Sequence, residues 1–399
     1  MLISIQNNIQ YKYNLCQQCG ICKAVCPKKA ISLKYLDNGT YKVIINQEEC
    51  IFCKKCIKNC PANKGSKFNN YFKDFINKSY YLGYNADKAI RKLSSSGGVC
   101  KTLIIESLKS GYVDGVYSLK KTNTYPYAQG EFYTKDNIPT YDSIPNSVYH
   151  SVMSCTEINK IKKCKRLMII GTSCQLRALT EVVQNKCEEL IAVCIFCKQQ
   201  KTLKSTKFLA KIIGTKIPVD LKFSASYRGY GWPGIVKING AELSWNRAAQ
   251  LPFGRRLWTV PGCDICGDSY GTEAGADISL MDPWVIRTEN EYGETLITVH
   301  SEKGIELLRN TPNLILEKKS FKEVEPALSL KDVWRKQQLV PFFRGETTEI
   351  NLMKAGKAEI RQRRLLQYIV EKMPRMPILF YRILCKLPDF RNKILNKWM

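Results

Sequence analysis

The sequence is short of histidine, of acidic residues and of long apolar runs, and each shortage narrows what the chain can do. Only two histidines occur, His150 and His300, which argues against a histidine-built metal centre and leaves few candidates for a histidine general base. Asp and Glu number 35 against 62 Lys and Arg, a formal net charge of +27. Such a chain attracts anions: nucleic acid, an acidic membrane surface, or acidic proteins and cofactors. No helix-turn-helix, zinc-finger or RNA-binding signature accompanies the charge, so nucleic acid is not expected as a partner. No apolar run approaches the roughly 18 residues of a membrane span. The opening MLISIQNNIQYKYN lacks the basic stretch and apolar core of an export signal. The expected location is the cytoplasm.

Cysteine, by contrast, is abundant, with 18 in 399 residues. A cytosolic chain keeps these as thiols, and clustered thiols there point to metal. Two motifs stand out, Cys16-x2-Cys19-x2-Cys22-x3-Cys26-Pro27 and Cys50-x2-Cys53-x2-Cys56-x3-Cys60-Pro61. A cubane needs four converging thiolates. In two-cluster ferredoxins three come from one tight loop and the fourth from the other motif. The expected sets are Cys16, Cys19, Cys22 with Cys60, and Cys50, Cys53, Cys56 with Cys26. CxxC pairs also build zinc knuckles, but two full copies each closed by proline point to a pair of [4Fe–4S] clusters.

A second constellation lies further along: Cys174 in GTSCQLRAL, Cys197 in VCIFCK, and Cys263 and Cys266 in PGCDIC. The pairs Cys194-x2-Cys197 and Cys263-x2-Cys266 permit a zinc site, and the spacing equally permits a third iron–sulfur cluster. Cys100, Cys155, Cys164, Cys187 and Cys385 stand alone and read as small buried apolar residues.

The chain divides into a Cys-dense region 1–65, a polar and aromatic linker 64–80, a region 81–345 alternating helix and strand patterns, and a basic tail 346–399. Asn38-Gly39 between β-prone runs predicts a hairpin within the first. In the third, Val99, Leu103, Ile104 and Leu108 predict a helix over 98–110. VDGVYSL, RLMIIG and ELIAVCIF predict strands, with CQLRALTEVV a helix between the last two. That rhythm predicts parallel pairing. The turn Ser94-Ser95-Ser96-Gly97-Gly98 runs into the first helix. It reads either as a Ser cap or as a phosphate site, where outward N–H groups meet the positive end of the helix. The fold class expected is an α+β ferredoxin-like two-cluster module, then a larger α/β domain, then a helical tail.

The stretches SSSGGVCKTLIIESLKSGYVDGVY, IIGTSCQLRAL, FSASYRGYGW and PGCDICGDSYGTEAGADISLMDPW, with the Cys197 strand end, resemble the family of coenzyme F420 hydrogenase/dehydrogenase beta subunits over roughly residues 81–300. The resemblance implies that the larger domain is flavin-binding, holding FAD and a [4Fe–4S] cluster of its own. Its ligands would be Cys174, Cys197, Cys263 and Cys266, leaving Cys194 free. Ser95, Ser96, Gly97 and Gly98 would lie against the FAD phosphates, with Asp277 and Asp282 near the cofactor. Arg228 and Trp232, from an FR…GW-like segment, would face the substrate. The sequence departs from the family at Ser173 (usually Pro), Met281 (usually Gly) and Val148, where a G-S-K-Y motif has Lys. These departures leave coenzyme F420 or another organic molecule as the acceptor.

FAD would join one-electron clusters to two-electron chemistry. The expected route runs from an acidic ferredoxin or flavodoxin through the N-terminal clusters, the core cluster and FAD to a small-molecule acceptor, and the net charge suits an acidic donor. The alternative is an electron-relay subunit with no substrate of its own. In the tail, KMPRMPILFYRILCKLPDFRNKILNKW reads as a helix packed on the domain or as an anchor at an anionic membrane surface.

Overall fold

A computed structural model describes residues 15–65, 71–286, 291–373 and 376–397. The opening segment, part of the 64–80 linker and Trp398 lie outside the described residues.

Each Cys loop of the N-terminal module ends in one helical turn, α1 (Ile21–Ala24) and α2 (Lys55–Lys58). Between them β1 (Ile31–Tyr35) and β2 (Tyr41–Ile45) pair antiparallel, with Ile31 opposite Ile45. The predicted turn closes the hairpin, the Asn38 side chain accepting from the Thr40 N–H at 3.0 Å.

The following strands are β3 (Ser79–Asn85), β4 (Gly115–Lys121), β5 (Ala128–Tyr133), β6 (Cys164–Gly171), β7 (Cys187–Ile195), β8 (Ala225–Ser226), β9 (Ile235–Ile238), β10 (Ala241–Ser244), β11 (Ile278–Met281), β12 (Thr295–Val299) and β13 (Leu314–Lys319). Eight of them form one sheet in the order β13-β3-β12-β11-β7-β6-β4-β5. The central strands β11, β7, β6 and β4 are mutually parallel. The flanking pairs β11–β12, β12–β3, β3–β13 and β4–β5 are antiparallel. The strands from which parallel pairing was predicted, β4, β6 and β7, do pair in parallel, and the antiparallel flanks make the sheet as a whole mixed. The six residues between β4 and β5 are too few for a parallel crossover and turn the chain back on itself. Strands β3, β4, β6, β7 and β11 all run the same way, so their carboxyl ends share one edge.

Helices α3 (Val99–Lys109), α4 (Ser173–Val183), α5 (Leu203–Ile213), α6 (Glu302–Arg309) and α7 (Leu330–Gln338) surround this core. Along β6, Met168 and Ile170 pack with Leu103, Ile104 and Leu108 of α3 and with Leu307 of α6. Leu167 and Ile169 point the other way, to Leu176 and Leu179 of α4 and to Cys19, Ile21 and Ala24 of the N-terminal module. Alternation along one strand thus fills two faces, and the cysteine module is part of the packing on the second.

The tail is helical, as α8 (Ile350–Lys372), α9 (Ile378–Lys386) and α10 (Phe390–Leu395). Leu366, Val370, Tyr381 and Leu384 share a core with α5, β9 and Trp245. Its cations are fixed too: Glu359 meets Arg256 (2.9 Å), Arg363 (3.6 Å) and Arg391 (3.2 Å), while Asp264 meets Arg256 and Arg363. Among the described residues no helix is long and apolar enough to cross a membrane.

Candidate functional site

Residues just past the carboxyl ends of parallel strands line the crevice where open α/β sheets hold ligands. Three of the singled-out residues follow directly from that edge: Cys174 after β6, Cys197 after β7 and Asp282 after β11. The Ser95–Gly98 turn is tied to it from the side. The Asn85 N–H at the end of β3 donates to the Gly97 carbonyl (2.8 Å), and the Gly97 N–H donates to Thr295 Oγ1 at the start of β12 (3.1 Å).

The cysteines gather into three groups. Cys16, Cys19, Cys22 and Cys60 are electrostatic neighbours, as are Cys26, Cys50, Cys53 and Cys56. Both groups mix the two motifs as the spacing predicts. The second lines a hollow with Ala30, Ile31, Ile45 and Phe52. Cys53 is exposed there, whereas Cys19, Cys22 and Cys60 are buried. Cys174, Cys197, Cys263 and Cys266 form the third group. Burial pushes the thiols of Cys16 up to about 11 and of Cys60 and Cys263 up to about 12, so these thiols ionise only when a cation compensates them. Donors already point at the sulfurs: the Gln18 N–H at Cys16 Sγ (3.4 Å), the Gln200 N–H at Cys263 Sγ (3.1 Å), and the Thr172 hydroxyl beside Cys174 Sγ (3.4 Å). Cys194 is different. It is fully buried on β7, its thiol donates to the Ile195 carbonyl, and Gly271 packs directly on it. Among the described residues no three Cys, His, Asp or Glu side chains converge tightly enough for a single ion.

The groups stand in series. A Cβ at Gly262 would lie 2.5 Å from the carbonyl carbon of Cys16. Only glycine lets the loop carrying Cys263 and Cys266 approach the first Cys loop this closely, and Gln17 Nε2 reaches the Gly262 carbonyl at 3.3 Å.

Beside the Ser95 turn, Arg228 is buried, with 1% exposure. Its Nη1 and Nη2 grip Asp282 at 2.6 and 3.2 Å, Nη2 also donates to the Ser95 carbonyl at 2.8 Å, and Nε donates to the Pro233 carbonyl. This bidentate fork locks three distant segments together. The guanidinium carbon sits 5.1 Å from the Trp245 ring and 5.4 Å from Trp284, and Trp284 packs on Trp232 at 5.0 Å. The Trp232 indole N–H is buried without a partner among the described residues. The turn itself is partly committed: the Ser96 hydroxyl donates to the Glu294 carbonyl and the Ser95 hydroxyl accepts from the Ser147 N–H. A Cβ at Gly97 would meet the Gly83 carbonyl at 2.4 Å, so Gly97 is required by packing. Among the described residues the N–H groups of Ser96, Gly98 and Val99 take no acceptor in the chain, as expected of an α3 start open to an anion.

Asp277 lies elsewhere. It precedes β11 and Asp282 follows it, which puts them roughly 16 Å apart at opposite edges of the sheet. The Asp277 carboxylate accepts from the Ala192 N–H (2.8 Å) and the Ser301 hydroxyl and pairs with Lys303 at 3.4 Å. It braces β7, β11 and the start of α6. Sequence reasoning missed Tyr149, an electrostatic neighbour of Arg228, although the N-S-V-Y segment carried the signal. Cys155, read as a small buried apolar residue, is fully buried in the core beside Cys19, and its N–H donates to the Cys19 carbonyl at 2.9 Å. A lone cysteine gives no spacing to read.

Comparison with known proteins adds three family matches. Residues 15–64 match the 4Fe-4S dicluster domain, residues 80–137 the N-terminal part of the coenzyme F420 hydrogenase/dehydrogenase beta subunit, and residues 164–323 its C-terminal part. An uncharacterised protein of Methanocaldococcus jannaschii, MJ1349, is 24% identical over 326 residues, spanning 71% of this chain and 83% of that one. A component of the F(420)H(2) dehydrogenase of Methanosarcina mazei is 20% identical over 190 residues, 46% of this chain and 52% of its own length. A chain in the structure of the F420-reducing [NiFe] hydrogenase complex from Methanosarcina barkeri superposes with a TM-score of 0.47 at 17% identity, covering 68% of this chain and 93% of that one.

Proposed function

Because the chain belongs to the family of coenzyme F420 hydrogenase/dehydrogenase beta subunits and carries a 4Fe-4S dicluster domain, we propose that it is an iron–sulfur flavoprotein oxidoreductase passing electrons between an acidic ferredoxin or flavodoxin and an organic acceptor. Coenzyme F420 or another organic molecule is the acceptor class. The observation that carries the reading is the serial order of the cysteine groups: one at the surface, one buried, and a third reached through the Gly262 contact.

In this reading Cys26, Cys50, Cys53 and Cys56 hold the outer cluster, Cys16, Cys19, Cys22 and Cys60 the inner one, and Cys174, Cys197, Cys263 and Cys266 the core one. The exclusion of Cys194 is supported by its burial on β7 and its bond to the Ile195 carbonyl, which argue against the zinc-ribbon alternative. FAD supplies the step between single electrons and electron pairs. The free N–H groups at the start of α3 suit its phosphates, and the Arg228–Asp282 fork holds that turn in place. Asp277 has no part in this site. The Gln18 and Gln200 N–H groups and the Thr172 hydroxyl stabilise charge on the sulfurs. Around the outer cluster Lys28, Lys29, Lys54 and Lys55 are exposed beside the apolar Ile51 and Phe52, a surface suited to brief docking of an acidic protein.

The test is anaerobic turnover with reduced ferredoxin and a panel of organic acceptors, coenzyme F420 included. Acceptor reduction that depends on bound flavin is expected. A flavin-loaded chain that accepts electrons from ferredoxin and reduces none of the acceptors would overturn the oxidoreductase reading in favour of an electron relay.

The tail supports a second reading, contact with an anionic membrane surface. On α9 Tyr381 and Leu384 face the protein, while Leu379 and Ile383 stand 65% and 55% exposed on the opposite side, flanked by exposed Arg382 and Lys386. Apolar side chains bracketed by cations suit the lipid headgroup boundary.

A further inference from the structure

The two residues between Cys263 and Cys266 are claimed by different parts of the chain, and one of them is held by the basic tail. Ile265 is buried with Leu15, Cys60 and Ala62 of the N-terminal module. Asp264 belongs to α8. Its buried carboxylate takes a bidentate fork from Arg363, Nη1 to Oδ1 at 3.2 Å and Nη2 to Oδ2 at 2.9 Å. Arg256 Nη2 adds a third bond, to Oδ1 at 2.8 Å. Within the loop the Cys266 N–H reaches the Cys263 carbonyl at a long 3.4 Å, which leaves the anchoring of that span to Ile265 and Asp264.

The fork is itself braced. Glu359, one turn before Arg363 on α8, lies 2.9 Å from Arg256 and 3.6 Å from Arg363. Arg391 of α10 donates to Glu359 at 3.2 Å and pairs with Asp389 at 3.4 Å. Three guanidiniums thus meet three carboxylates in a site where Asp264, Glu359 and Arg391 are buried, so every charge is matched and weakly screened. The apolar side of the tail, Leu366, Val370, Tyr381 and Leu384, docks elsewhere, against α5, β9 and Trp245. That docking holds the tail without any ion pair. The ion cluster is a separate contact, and what it grips is Arg256 and Asp264, the approach to the cysteine loop and its midpoint. The root of the tail makes a parallel contact, since Arg344 donates at 3.1 Å to the carbonyl of Ala62, two residues past Cys60.

We propose that Arg363 is a positioning residue for the core cysteine group: through Asp264 the tail holds Cys263 and Cys266 in the geometry that retains their cluster. The inference rests on the proposed core cluster. Ligands stay oriented when the groups behind them are locked by packing and hydrogen bonds, and a carboxylate forked midway between two cysteines locks both. Removing Arg363 leaves Asp264 and Glu359 buried with a cation missing, which is unfavourable enough to shift the loop.

The experiment follows chelator-driven iron release from the anaerobically purified full chain, as wild type, Arg363→Met, Arg363→Lys and Leu366→Ala. The phase missing from a Cys263→Ser, Cys266→Ser variant belongs to the core cluster. Arg363→Met should quicken that phase at least about tenfold, the scale of losing a contact behind a metal ligand. Arg363→Lys keeps the charge and loses the fork, and should fall between Arg363→Met and wild type. Leu366→Ala opens a cavity in the apolar docking of the tail, and should lower the melting temperature without quickening the phase. Adding Asp264→Asn to Arg363→Met should change nothing more, because the two act through one contact. If Arg363→Met does not fold, Arg363→Lys and Asp264→Asn alone carry the reading. A wild-type rate in Arg363→Met, or equal quickening in Leu366→Ala, would overturn the proposal. A wild type holding about eight iron would overturn the core cluster on which it rests, and the iron count separates that failure from this one.

Discussion

Acid should destabilise this protein through its two histidines, and His150 allows the size of the effect to be worked out. Its ring is buried, Nε2 donating to the Pro126 carbonyl at 2.8 Å and Nδ1 accepting from the Tyr227 hydroxyl at 2.7 Å, with Tyr125 stacked at 5.1 Å. Burial among these rings favours the neutral imidazole, since the charged form would lose its hydration. Burial lowers its pKa from 6.5 to about 4. The unfolded chain therefore binds the proton more tightly, so stability is complete above pH 6.5 and falls as pH drops towards 4. Between pH 7 and pH 5 this one group removes about 2 kcal/mol, from 1.36 kcal/mol per unit of pKa difference over that window. His300, lowered by burial to about 3, removes a similar amount. Urea-unfolding midpoints at pH 7 and pH 5 should therefore fall less in His150→Gln than in the wild type, since Gln keeps the donor to Pro126 without titrating. Equal falls in the two proteins would refute the reasoning.

Three further outcomes follow from the structure. Reversing Lys54 and Lys55 to Glu should slow reduction by an acidic ferredoxin and flatten its salt dependence, because screening shortens the field from roughly 10 Å at 0.1 M salt to about 3 Å at 1 M; equal rates at both salts in wild type and variant would contradict an acidic donor. Leu379→Ser with Ile383→Ser should abolish sedimentation with anionic phospholipid vesicles and leave the melting temperature within a few degrees, since both side chains are more than half exposed; wild type that ignores such vesicles would remove the membrane contact. Cys194→Ser should leave the iron content unchanged, measured by chelator assay, whereas Cys263→Ser with Cys266→Ser should remove one cluster's worth; an iron loss in Cys194→Ser would show the core ligand set to be wrong.

What was legible in the sequence was local. A cubane loop is written in x2 spacings because its three thiolates come from adjacent turns of chain, and the exchange of Cys26 and Cys60 between motifs follows from that pattern. The helix at Val99–Lys109 and the strands β6 and β7 announced themselves by periodicity. The antiparallel flanks did not, because strands such as TLITV and LILEKK read alike whichever neighbour they pair with. Asp277 and Asp282 sit in one short motif, yet a four-residue strand sends them to opposite edges of the sheet. Cys155 meets Cys19 only through a contact made across the fold, and a single residue carries no pattern from which that contact could be read. The tail showed its apolar and basic composition plainly, but which side chains the core around α5, β9 and Trp245 would claim, and which would stay outside as Leu379 and Ile383 do, depended on the docking of α9.

The proposed content of three clusters and a flavin in one chain can be read directly from the composition of the anaerobically purified protein. Iron, acid-labile sulfide, zinc and flavin are measured on the same sample. About twelve iron and twelve sulfide per chain are expected, from three cubanes, with one FAD and no zinc. About eight iron with one zinc, or three clusters without flavin, would contradict it.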